Sequence, residues 1–213
     1  MADFILRRGC SLAPRSPTES NAMTTNPYVA PRSTLVAPPS PATGVPFYVV
    51  SARKFTWLFI ATMGHYGIYW FYRNWHLYRQ YSGSRIWPVA RAIFAVFFVH
   101  SLFALVKDAL AEEGKLSWHA GRHAALMVIL MLLSFLVDKL ASESVGPPQL
   151  VWLLIPLFAL QAFVWRKAQV IINVSCHDPD GQSNDRFTAA NFFWMALGAL
   201  YWALFLVGAS ATL

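Results

Sequence analysis

Charge is what this chain has least of. Asp, Glu, Lys and Arg make up 13% of its 213 residues and hydrophobic residues 56%, against roughly 25% charged in a soluble domain. A water-soluble fold of this length could not hide that much apolar surface. Acids are the scarcer sign, at ten, and Asp138 alone abuts an apolar segment. Nothing resembles a paired-carboxylate site, a Ser-His-Asp set or a phosphate loop, which leaves an enzyme disfavoured. The two cysteines, Cys10 and Cys176, lie far apart with no CxxC spacing, which excludes a disulfide framework and a thiol redox site. No long apolar run precedes Phe55, so no cleavable signal peptide is expected, and Arg7, Arg8 and Gly9 before Cys10 do not fit a lipoprotein signal.

Five apolar segments occupy most of the sequence after Lys54: Phe55 to Tyr72, Ala92 to Val106, Ala124 to Val137, Leu150 to Trp165 and Phe192 to Leu213. Each is edged by charge or tryptophan. Such runs read as helices in a bilayer, because only a helix satisfies its own backbone hydrogen bonds where water is absent. With flanking turns they extend to about 55–72, 87–106, 120–138, 150–173 and 189–212. The expected fold is all-α, an integral membrane bundle of about five transmembrane helices over residues 47–213. Residues 1–46 hold eight of the thirteen prolines and are expected to be a disordered tail. Within it, Met23 opens MTTNPYVAP and competes with Met1 as the natural start.

Local signals refine the segments. Gly64 and Gly67 interrupt the first, allowing a bend or close helix approach, and the aromatics from Tyr66 to Tyr81 read as an interfacial belt. Pro88 sits at a first helical turn, and Gly146-Pro147-Pro148 breaks the chain before the fourth segment. That segment continues past Arg166 and Lys167 to Asn173 and stops at His177-Asp178-Pro179-Asp180-Gly181. Thr188 or Asp185 can cap the last helix, in which Ala199 and Ala203 form a weak small-xxx-small step.

The formal charge of +7 raises nucleic acid as a partner, but the basic residues sit at segment edges, where they orient spans and meet anionic headgroups. No nucleic acid is expected; the lipid bilayer is the expected partner, with other membrane proteins or further copies of the chain. Five spans and a cytoplasmic N-terminus put eight Lys and Arg inside and five outside. The bias is modest, and four arginines without an acid between the first two segments are awkward outside. A first segment that dips in and returns removes the anomaly; full crossing is the favoured reading.

Polar residues within apolar segments are the candidates for function, since burying them in lipid costs several kcal/mol (roughly) without a partner. They are His65, Arg91, His100, Gln161, Gln169, Asn173 and Asn191. Gln161, Trp165, Gln169 and Asn173 recur every fourth residue and form one stripe along a helix, read as a hydrogen-bonded seam with a substrate path as the rival. His119 and His123 have a spacing that can hold a metal, but two ligands are no site. Glu112 and Glu113 join them only if the loop folds back, and Arg122 opposes a cation. No metal or cofactor is expected.

The stretch KFTWLFIATMGHYGIYWFYRNW, residues 54 to 75, resembles the first helix of an uncharacterised family of small bacterial multi-pass inner-membrane proteins, which reads roughly T-x-G-x-Y-x-I-Y-W-F-Y-K-N-W. Arg91-Ala92-Ile93-Phe94, the Gln and Asn residues after the fourth segment, and Asn184 and Asn191 are similar to the same group. The resemblance implies an inner-membrane location and a multi-helix fold, and brings no activity or substrate. The expected function is therefore a non-enzymatic membrane protein acting through helix packing or partner proteins. Its rival is a small transporter or channel subunit using His100, Gln161 and the stripe.

Overall fold

In a computed structural model the protein is described over residues 46–112, 114, 117–143 and 145–210. The proline-rich tail with Cys10 and Met23, and Glu113, lie outside the described residues. The described chain is all-α, as expected. Three of its helices are long and apolar enough to cross a membrane, not five: Ala120–Ser142, Pro148–Ser175 and Ala189–Ser210.

The first segment is not one span because its middle is a turn. Ser51 caps helix α1, Ala52–Ala61, by accepting the Lys54 N–H. The helix ends after ten residues, about 15 Å. Thr62 then serves both sides of the corner, its hydroxyl donating to Leu58 O at 2.7 Å and accepting Tyr66 N–H at 3.0 Å. Met63 and Gly64 both take positive φ, 49° and 83°. At Gly64 a Cβ would also meet Phe158 and Phe59 at 3.4–3.5 Å, so glycine suits both the conformation and the space. Helix α2, Tyr66–Ser82, runs back from this corner. The pairing is antiparallel: Phe55 meets Tyr66 and Trp70, Tyr48 meets Tyr69 and Asn74, and Phe47 stacks on Tyr78. The two helices form a hairpin whose ends lie at the same end of the bundle.

The second segment is also broken. Helix α3, Pro88–Ile93, lies along α2, and the chain changes direction at Phe94 before α4, Ala95–Glu112. Residue Ala95 borders one cavity with Met131 and Gln161, at mid-bundle. Phe103 lies against Trp118 and His123, near the start of α5, Ala120–Ser142. So α4 runs from the middle back toward the end shared by α1 and α2. Its last two turns carry Lys107, Asp108 and Glu112, which keeps it from being a uniformly apolar span.

The remaining helices run the full length. A 3-10 turn over Pro148–Leu153 leads into α6, Leu154–Ser175, and α7 covers Ala189–Ser210. Gln161 of α6 reaches Leu130 and Ser134 of α5, while His123 of α5 reaches Val164, so the two are antiparallel. Thr188 caps α7: its hydroxyl accepts Asn191 N–H at 3.4 Å while Asn191 Oδ1 accepts Thr188 N–H at 3.0 Å, a reciprocal cap that satisfies two helix-end donors. Asp185 is not the cap; it takes Ser51 and Arg53 instead.

Burial follows this layout. The core comprises residues 47–50, inward faces of α1, α2 and α4, the first half of α5 and α6 from Ala162 onward. The other halves of α5 and α6, and nearly all of α7, present large apolar side chains outward. Helix α7 packs on α1 through Gly198, where a Cβ would collide with Ala61 O, and through Trp202 Nε1–H donating to Ile60 O at 2.8 Å. Ala199 and Ala203 are exposed; the close step is one residue earlier than their spacing suggested.

Candidate functional site

The polar residues converge on a short non-helical segment. Residues 47–51 are buried between the outer ends of α2 and α6, and chain outside a helix there needs partners for its N–H and C=O groups. Side-chain amides supply them. Asn74 Oδ1 accepts Tyr48 N–H at 3.1 Å and Gln169 Nε2 donates to Tyr48 O at 3.0 Å. Asn173 holds both groups of Val50, Oδ1 accepting its N–H at 3.3 Å and Nδ2 donating to its carbonyl at 2.9 Å. Asn184 Nδ2 donates to Val49 O at 2.9 Å. One carboxamide facing one residue reproduces what a neighbouring strand would give.

The amides also hold one another. Trp70 Nε1–H donates to Gln169 Oε1, and Gln169 Nε2 donates to Asn173 Oδ1 at 2.6 Å. Asn74, Gln169 and Asn173 have no solvent exposure, so their bonds are made in a dry setting where an unpaired group costs about 1–3 kcal/mol. Close packing seals the clamp: a Cβ on Gly67 would lie 2.6 Å from the Trp165 ring, and Trp165 packs against Phe59, Trp70 and Phe71.

The loop after α6 laces this segment to α1. Gly181 takes positive φ, and a Cβ there would lie 2.5 Å from Ser51 N. Lys54 is buried, its Nζ donating to Asn184 Oδ1 and Arg186 O, both at 2.7 Å. Asp185 accepts from Ser51 Oγ at 2.7 Å and pairs with Arg53 at 3.3 Å. Hydrogen bonding from Ser51, then the Arg53 charge, holds its carboxyl below the ordinary carboxylate value. Asp178 is held low in the same way, by N–H groups of Ser183, Gln182 and Gly181.

Of the seven residues singled out in the sequence, only Gln169 and Asn173 enter the clamp. Gln161, on the same stripe, faces the other way and donates to Leu130 O at 3.0 Å and Ser134 Oγ at 2.7 Å. The stripe is thus two separate sets of bonds, divided by Trp165. His65 sits at the hairpin corner with Nδ1 2.8 Å from Thr62 O and its ring edge-on to Tyr201. Arg91 stacks on Trp75 and Phe98, 4.2 and 5.1 Å from their centroids. His100 is exposed. Asn191 caps α7.

His123 uses both ring nitrogens, Nδ1 accepting from Trp118 Nε1–H at 3.1 Å and Nε2 lying 2.9 Å from Val164 O. That fixes the tautomer with the proton on Nε2 and leaves no lone pair for a metal. No cluster of three His, Cys, Asp or Glu with metal-holding geometry occurs among the described residues.

Asn74, Trp70 and Lys54 were not anticipated as site residues. A signal existed for two of them, since Trp70 and Asn74 are four apart and share a helix face, but an aromatic belt reading absorbed them. Neutral amides can hold and orient a backbone; they supply neither nucleophile nor proton carrier. Comparison of the chain with protein-family models, curated proteins and solved structures gives no match.

Proposed function

We propose that this chain is a non-enzymatic, three-span protein of the bacterial inner membrane, related to the uncharacterised multi-pass family it resembles, and that it acts as a packed scaffold for membrane partners. The observation that carries the reading is the internal pairing of the amides along α6. Gln161 donates through Nε2 to α5, and Gln169 and Asn173 pair with residues 48 and 50, which supports a packed seam over a hydrated path. In this reading α5, α6 and α7 cross the bilayer, while the α1–α2 hairpin and the α3–α4 pair enter from one face and return to it. Lys139 is then the only described Lys or Arg in the far half of the bundle. That one-sided charge, read with the positive-inside rule, puts the hairpin face in the cytoplasm and removes the anomaly of four outside arginines.

The test is a set of single cysteines at Ser84, Val145 and Ser183, with Cys10 and Cys176 removed, exposed on intact cells to an impermeant thiol reagent. Labelling at 145 alone is expected. Labelling at 84 without 183 restores five spans, and labelling at 84 and 183 without 145 reverses the orientation.

A further inference from the structure

Because α7 packs on α1 at Gly198 and Trp202, a gap is left between it and the α2–α3 layer. The gap is a groove of about 850 Å³, within the roughly 300–1,000 Å³ range of small-molecule sites. Its walls grade in polarity. Tyr48, Tyr72, Thr188 and Asn191 line the end nearest the cytoplasmic face, and Ile68, Ile93, Leu197, Leu200 and Leu204 line the part that runs toward mid-membrane. The floor is His65 against Tyr201. The groove follows α7, whose exposed side chains are apolar, so it opens sideways toward lipid and not toward water.

A cation stands beside the polar end: Arg73, not itself part of the lining, follows Tyr72 on α2 and holds its guanidinium 5.6 Å from the ring centroid of the lining residue Tyr48. Its Nε is buried and has no hydrogen-bond partner. The ion pairs among the described residues are Arg53–Asp185 and Lys139–Glu143, and neither uses Arg73. A guanidinium without a carboxylate on it takes an oxyanion through charge-assisted hydrogen bonds from its terminal nitrogens.

Resting on the membrane reading above, we infer that this groove binds one anionic diacyl phospholipid from the cytoplasmic leaflet, with its phosphate at Arg73 and the hydroxyl of Tyr72, and an acyl chain along α7 to Tyr201. The occupant follows from charge and polarity together: a zwitterionic lipid offers the same phosphate but carries its own ammonium beside it, so the guanidinium favours a net anionic headgroup, and a second protein copy would place apolar side chains against the polar end.

The full chain, reconstituted in vesicles of equal phosphatidylglycerol and phosphatidylcholine and extracted in mild detergent, is weighed intact by native mass spectrometry. One retained phosphatidylglycerol per chain is expected, preferred about fivefold, the effect of roughly one basic residue at a lipid surface. Arg73→Lys keeps the preference and Arg73→Gln abolishes it, while Ile93→Trp, at an exposed groove position, lowers retention of both lipids. Phosphatidylglycerol also raises the unfolding temperature of the unaltered chain but not of Arg73→Gln. Equal retention of the two lipids, an unchanged preference in Arg73→Gln, or a lipid-free dimer overturns the inference. Release of the chain from membranes by alkaline carbonate overturns the membrane reading itself, separately.

Discussion

The two halves of this bundle are built by different physics. The half containing residues 47–51, α1, α2, α4 and the outer end of α6 has a dense aromatic core and backbone groups held by buried amides. The other half is three helices with apolar side chains turned outward and few buried residues: Val137 is the last on α5, and α6 has none before Ala162. The first half is organised like a soluble core, with interlocking shape and paired backbone groups, although Trp75 Nε1, Trp165 Nε1 and Arg73 Nε are buried there without partners. The second depends on its surroundings, because exposed Leu, Ile and Phe at that density are tolerable only where lipid or another protein covers them. Stability that comes from specific contacts therefore resides in the first half, and substitutions should separate the two sharply.

The largest effect is expected at Asn173. Asn173→Leu removes the partner of both Val50 N–H and Val50 C=O; two orphaned buried groups at about 1–3 kcal/mol each give roughly 2–6 kcal/mol of destabilisation. Detergent-unfolding midpoints measure it, and protease access near residue 50 should rise in parallel. An unchanged midpoint would mean that the segment contributes nothing to stability. Next is Gly67→Val, which forces side-chain atoms into the Trp165 ring and should cost about 1–3 kcal/mol, as overpacking does; Trp165→Leu in the same chain should recover part of the loss.

Gln161→Leu probes the boundary between the halves. It removes bonds to Leu130 O and Ser134 and should weaken α5–α6 packing by about 0.5–1.5 kcal/mol. A normal midpoint with abolished solute flux would instead favour a transporter. Acid gives a smaller, directional effect. Asp185 has a depressed folded value through Ser51 and Arg53, so its contribution is fully present above the unfolded value of about 3.9 and is lost as pH falls through the folded one. Stability should change little from pH 7 to about 5 and decline below about 4, and Asp185→Asn should flatten that decline in a pH series of unfolding midpoints. The smallest effect belongs to the bare half: Phe135 is two-thirds exposed at 67%, and Phe135→Ala should shift the midpoint by less than about 0.5 kcal/mol. A loss comparable to that of Asn173→Leu would show that the outward face is covered by protein.

The sequence by itself determined the class and the three long helices. Their apolar length, the break at Gly146-Pro147-Pro148 and the stop after Asn173 are local signals, and the helices follow them. Gly64 and Gly67 were legible as points of bend or close approach, and Thr188 as a cap. Only the tertiary structure decided that Phe55 to Tyr72 turns back on itself. Apolar composition is the same for a crossing helix and for a hairpin buried against other helices, and the corner depends on Thr62, Phe59 and Phe158 meeting in space. It decided likewise that one stripe on α6 serves two neighbours. Spacing of four puts Gln161, Gln169 and Asn173 on adjoining faces, but which backbone each amide meets is set by α5 and by a segment more than a hundred residues away in the chain. Local propensity is written in neighbouring residues; the choice of hydrogen-bond partner belongs to the packing that brings distant ones together.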